Sequence, residues 1–141
     1  MFDLKYEDRL LAWSCLRQDL ETSDDPFQKL IDFYSHAPRV SIHTDPYEKT
    51  TWPGPWELVE ENQYCDFCIV LGMCYSLQLT DRFSGSNFEI HIGVDDKNSS
   101  TCYLLYIDKS VILGWNNTCT SVENLPKTLK SQTIYTMDPI H

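Results

Sequence analysis

Tyr64-Cys65-Asp66-Phe67-Cys68-Ile69-Val70-Leu71-Gly72-Met73-Cys74-Tyr75-Ser76-Leu77-Gln78-Leu79 decides the fold of this 141-residue chain. The run from Phe67 to Leu79 is apolar almost throughout and too long for a strand, which predicts a buried central helix. Gly72 falls inside it, where a missing side chain permits close packing. Upstream, Trp52-Pro53-Gly54-Pro55-Trp56-Glu57-Leu58 sets two prolines and a glycine between tryptophans, fixing the backbone of an approach segment. A short helical turn from Pro55 through Glu61 follows, and the chain then delivers Cys65 to the start of the central helix. A thiolate at such a position is stabilised by unsatisfied backbone N–H groups and the helix dipole.

Outward from this run, the elements follow from periodicity. Between Asp3 and Glu21, Tyr6, Leu10, Trp13, Leu16 (or Arg17) and Leu20 recur at three- and four-residue steps, one face of an amphipathic helix. Thr22-Ser23-Asp24-Asp25-Pro26 breaks it and restarts a second helix, with Asp25 as cap, Pro26 at the first helical position, and Phe27, Leu30, Ile31 and Tyr34 as the apolar face. Arg39 to Thr44 alternates, Val40 and Ile42 against Ser41 and His43, which predicts a brief edge strand. After Asp81-Arg82-Phe83-Ser84-Gly85-Ser86 the period falls to two, with Phe88, Ile90, Ile92 and Val94 alternating with Asn87, Glu89, His91 and Gly93. Turns at Asp95–Asn98 and Lys109-Ser110 separate strands over Thr101–Asp108 and Val111–Trp115, giving an antiparallel meander. Gln132 to Thr136 is a further β-like piece without an evident partner. The expected fold is one α+β domain over residues 1–141: N-terminal helices and a central Cys-bearing helix packed on a small antiparallel sheet.

A hydrophobic fraction of 42% and an aromatic fraction of 13% are those of a folded domain. No apolar stretch reaches the roughly 18 residues of a membrane span, and Met1 to Asp8 lacks a basic segment followed by an apolar one, so neither secretion nor membrane insertion is expected. The six cysteines then read as reduced thiols rather than a disulfide framework. A formal charge of -10, from 21 acidic against 11 basic residues, argues against direct nucleic-acid or anionic-membrane binding. It favours a basic protein partner or, alternatively, an acidic mimic of DNA.

From Pro55 to Trp115, the order helix, cysteine-bearing helix, antiparallel strands resembles the core of transglutaminase-like and papain-like thiol enzymes. That resemblance implies a cysteine opening the central helix, a histidine beginning the second core strand and an aspartate on the third. Cys65 matches the first role. The second strand begins Ser100-Thr101-Cys102-Tyr103 without a histidine, and the third offers Asn116 but no aspartate. His91 lies one strand early and takes the base role only in a different register. The implied hydrolase or acyltransferase uses Cys65 as nucleophile and His91 as base, oriented by Asp108 or Asn116. Against it stands a degenerate core in which Cys65, Cys68 and Cys74 are small buried hydrophobes. Cys65-x-x-Cys68 lacks a tightly spaced second ligand pair, Cys102, Cys119 and His91 being scattered, so no metal or other cofactor is expected. His36, His43 and His141 suggest no site by themselves. No Gly-rich phosphate loop or GxSxG elbow is present, which argues against nucleotide and ordinary serine-hydrolase chemistry. The aromatic residues around the Pro-rich loop either cover the helix or present a partner surface, for which Trp52, Trp56, Glu57, Glu60, Glu61 and Tyr64 are the candidates.

A second resemblance rests on Asp25-Pro26-Phe27-Gln28, Thr51-Trp52-Pro53-Gly54-Pro55-Trp56-Glu57-Leu58, Glu61-Asn62-Gln63-Tyr64-Cys65-Asp66-Phe67, Leu77-Gln78-Leu79-Thr80-Asp81-Arg82-Phe83 and Leu125-Pro126-Lys127-Thr128-Leu129. Together they resemble a small conserved protein family of tailed phages infecting marine cyanobacteria. The likeness implies expression inside a bacterial host, with a place in the host cytoplasm or the virion, and carries no site residues. The expected function is non-catalytic binding of a host or virion protein; the alternatives are the Cys65–His91 thiol enzyme and the DNA mimic.

Overall fold

The computed structural model describes residues 1–41 and 44–140. The described residues form an α+β fold of helices α1 (Tyr6–Thr22), α2 (Pro26–Tyr34), α3 (Pro55–Glu61) and α4 (Asp66–Gln78), and strands β1 (Phe88–Asp95), β2 (Ser100–Ile107), β3 (Val111–Trp115), β4 (Thr118–Ser121) and β5 (Leu129–Met137). The strands make one antiparallel sheet in the order β4-β3-β2-β1-β5. Local chemistry sets the helix starts. Gln28 N–H donates to the Asp25 carboxylate at 3.2 Å, with Pro26 in the first turn of α2. Gly54 N–H donates to Glu57 Oε1 at 3.3 Å at the start of α3, and Asn62 in the left-handed region (φ 52°) ends that helix.

Residues Phe67 to Gln78 of α4 are all buried. The helix rests on β2 and β1, while α1, α2 and α3 close over it. The sheet's inner face supplies Phe88, Ile90, Leu105, Ile107 and Leu113 to this core. Ile90 lies opposite Leu105 and Leu105 opposite Leu113, so one apolar parity runs across three strands. Gly72 does allow close packing, since a Cβ there would lie 2.9 Å from the Tyr34 ring. One polar node joins three helices. Ser76 Oγ accepts from Trp13 Nε1–H at 2.9 Å, lies 3.0 Å from Tyr34 Oη and donates to Gly72 O at 2.8 Å, with all four residues buried.

The edge strand expected over Arg39–Thr44 is, among the described residues, a single parallel bridge between Arg39 and Tyr64. Val40 N–H donates to Tyr64 O at 3.2 Å, and Tyr64 N–H to Pro38 O at 3.1 Å. Ile42, His43 and His141, named in the sequence reading, lie outside the described residues. The meander gains two strands. β5 finds its partner in β1, and β4 follows β3 through Asn116 (φ 51°) and Asn117 (φ 55°), a two-residue hairpin turn with both central residues left-handed. Gly114, at the irregularity between Leu113 and Trp115, has φ 109°, and a Cβ there would meet Tyr103 O at 2.7 Å. No helix among the described residues is long and apolar enough to cross a membrane.

Candidate functional site

The start of α4 opens onto a groove of two adjoining clefts, of about 420 and 350 Å³. The larger is walled by Tyr34, Arg39, Met73, Cys102 and Asn116, the smaller by Ser41, Thr44, Cys65 and Thr101. Asp66, Thr101 and Tyr103 border both. Arg39 pairs with Asp66 at the mouth, pinning the 38–40 segment beside the helix. Because both groups of this pair are exposed, it contributes little to stability and mainly sets position.

Cys65 caps α4 as the sequence predicts and is only 4% exposed. Its neighbour Cys68 donates Sγ–H to Thr44 Oγ1 at 3.3 Å. Contact with the Cys65 thiol, followed by burial, pushes the Cys68 thiol well above its ordinary range, and burial does the same to Cys74. Cys68 and Cys74 are therefore protonated packing groups at neutral pH. No disulfide joins any of the six cysteines.

The partners proposed for Cys65 do not converge on it. His91 lies on β1 between the inward-facing Ile90 and Ile92, so its ring projects from the opposite side of the sheet. There Nδ1 is 2.8 Å from Ser131 Oγ and Nε2 is 3.2 Å from Glu89 Oε1. The ring stacks on Tyr106 at 3.5 Å between centroids and 7° between planes. Burial lowers the imidazole pKa, and Glu89 opposes that shift. Asp108 accepts from Asn87 N–H at 2.7 Å past the end of β2, about 23 Å along that strand from Thr101 at 3.3 Å per residue. Of the set expected around Cys65, Asn116 alone reaches the α4 groove, beside Asp66. Among the described residues, no three His, Cys, Asp or Glu side chains gather in a cluster that could hold a metal ion.

The aromatic candidates also separate. Tyr64 is a core residue at 0% exposure, edge-on to Phe2 at 5.4 Å, which corrects its assignment to a partner surface. Trp52 packs against Phe67 at 4.8 Å and Tyr135 at 5.0 Å, covering the joint between α4 and β5. Trp56 is 49% exposed, and Glu57, Glu60 and Glu61 on the same helix are exposed too. Its indole stands edge-on to Trp13 at 5.2 Å, with the Arg17 guanidinium 5.7 Å from the ring. Behind α3, Arg9 Nε and Nη2 each donate at 3.0 Å, to Val59 O and Glu60 O, satisfying carbonyls at the helix end.

No protein-family model matches the chain, and no curated protein or solved structure matches it. The sequence reading missed the residues around His91. Glu89 was accessible to it, being two positions away on one strand and hence on the same face. Ser131 was not, because its place beside His91 depends on an irregular pairing between β1 and β5.

Proposed function

We propose that this chain acts by binding a basic segment of another protein through the exposed face of α3. The observation that carries this reading is Trp56: half exposed, yet held in orientation by Trp13 and Arg17 and accompanied by Glu57, Glu60 and Glu61. A pre-positioned indole loses little conformational freedom on binding and accepts a cation over its free face, and tryptophans in such settings dominate interface energetics. The formal charge of -10 adds long-range attraction for a basic partner. The phage likeness suggests a host or virion component as that partner. DNA mimicry is less well supported, because many carboxylates serve the fold: Glu21, Asp25, Asp45, Glu57, Asp95 and Asp108 each accept backbone N–H groups.

The test is affinity capture from host lysate with wild-type protein, Trp56→Ala and Glu60→Lys. The expected result is a protein captured by wild type, weakened by salt, and lost from both variants while their circular dichroism is unchanged. Equal capture by all three, or no capture at low salt, overturns the reading.

A further inference from the structure

We propose that Ser131, His91 and Glu89 form a hydrolytic Ser–His–Glu centre on the outer face of the sheet, acting on short-chain carboxylic esters that are neutral or cationic. The geometry begins with the pairing of β5. Ile92 lies opposite Thr133 but Gly93 opposite Ser131, so Gln132 is the extra residue of a β-bulge. In regular pairing Ser131 would share the inward parity of Thr133. The bulge turns it outward beside His91, bringing Oγ within 2.8 Å of Nδ1. Gly93 makes the irregularity feasible, since a Cβ there would stand 2.9 Å from Lys130 O.

The three side chains have complementary roles. Ser131 is exposed, His91 is 6% exposed, and Glu89 Oε1 lies on the far imidazole nitrogen at 3.2 Å. In the neutral tautomer with hydrogen on Nε2, His91 donates to Glu89 and accepts from Ser131 O–H, the arrangement a general base requires. Burial lowers the imidazole pKa and so favours the neutral form, with Glu89 opposing the shift. The Tyr106 ring stacks on His91, fixing the plane of the imidazole beside Ser131. Ile134, opposite His91 and 53% exposed, offers an apolar seat for an acyl chain. The negative charge of the whole chain disfavours anionic esters. The serine sits on an edge strand instead of a strand-to-helix elbow, so the sequence carries no GxSxG signature for it.

In the first half-reaction, Ser131 Oγ bonds to the ester carbonyl carbon and its proton passes to His91 Nδ1. Collapse breaks the bond to the leaving alkoxide, which takes that proton and departs as the alcohol. Water, deprotonated by the same nitrogen, then cleaves the acyl-serine and releases the carboxylic acid, returning the serine proton. Glu89 steadies the transient imidazolium and orients the ring.

The test uses 4-nitrophenyl acetate hydrolysis and fluorophosphonate labelling, after alkylation of the exposed Cys15 and Cys119 to remove thiol background. Ser131→Ala and His91→Asn are each expected to lower kcat/KM by about 100-fold, the scale of a lost nucleophile or base. Peptide mapping should place the phosphonate on Ser131 of the wild-type chain, and the acid limb of the rate profile should lie below the ordinary imidazole range. A hydrolysis rate unchanged in folded Ser131→Ala, or absence of the Ser131 adduct in the wild-type chain, overturns the proposal. The labelling arm needs no variant, so it decides even where His91→Asn fails to fold.

Discussion

Replacing Ser76 with alanine tests the claim that one hydroxyl organises the helical layer. The side chain is 0% exposed and serves Trp13 Nε1, Tyr34 Oη and Gly72 O together. Its removal strands an indole N–H and a phenol O–H in a dry site, dry enough that burial holds the Tyr34 pKa up at about 12. A buried donor left without a partner costs about 1–3 kcal/mol. Two such groups, less the roughly 0.5 kcal/mol by which alanine favours a helix, give a loss of about 2–5 kcal/mol. For a chain of this length, that should lower Tm by about 5–15 °C. Urea unfolding of Ser76→Ala, Tyr34→Phe and the double variant measures both the loss and its origin. Tyr34→Phe should cost less in the Ser76→Ala background, because there the phenol has already lost its partner, with a coupling of about 0.5–3 kcal/mol. A single-variant loss under about 1 kcal/mol, or additive single effects, refutes the assignment. The same variant should loosen Trp56, whose indole leans on Trp13, and quench or shift its fluorescence before global unfolding.

Gly72→Ala should destabilise the fold by about 1–3 kcal/mol in urea despite alanine's better helix propensity, because its Cβ meets the confined Tyr34 ring; a neutral or stabilising result would show that the ring can retreat. Iodoacetamide should alkylate the exposed Cys15 and Cys119 well before the buried Cys65, Cys68 and Cys74, read by peptide mass spectrometry with Cys65→Ser as control, whereas rapid labelling of Cys65 would revive the thiol-enzyme reading. His91 has a folded pKa below its unfolded value, so the unfolded chain takes up the proton first as pH falls below the usual imidazole range. The His91 contribution to stability should therefore be flat above about pH 7 and decline below about pH 6.5, towards the lowered folded pKa, with a slope of at most about 1.4 kcal/mol per pH unit. His91→Gln should remove that component from the urea midpoints, and an unchanged slope would contradict it.

The parts of the fold that sequence exposed are those set by local chemistry or strong periodicity. Asp25-Pro26 announces the start of α2 because the cap and the ring act within one turn, and Phe67 to Leu79 announces α4 because no strand needs so long an apolar run. Val111–Trp115 appears with the predicted bounds. Strand pairing is non-local, so the partner of β5 could not be read from Gln132–Thr136, and the bulge that aims Ser131 belongs to the pairing itself. The partner surface failed at Tyr64 for a related reason: a tyrosine beside a Pro-rich loop packs or points outward according to what the N-terminal segment lays over it, here Phe2. His91 was visible as a candidate, but alternation already opposed its pairing with an inward-facing thiol. Placing it with Cys65 required a register slip that would also have turned Ile90 and Ile92 away from the core.

The helices occupy the inner face of the sheet, and this separates the two proposed sites physically. Trp56 leans on α1 at the helical end of the molecule, whereas Ser131 and His91 project from the sheet's other side, and none of the hydrogen bonds or ring contacts described for one set belongs to the other. Substitutions without shared partners add in free energy to within about 0.3–0.5 kcal/mol. Ser131→Ala should therefore leave capture by the α3 surface unchanged, and Trp56→Ala should leave ester hydrolysis unchanged. The double variant should lose each activity by the same factor as the one substitution that affects it. Strong coupling in that cycle would require a path through Trp13, Ser76 and α4 into the sheet, the chain of buried contacts that the Ser76→Ala experiment breaks.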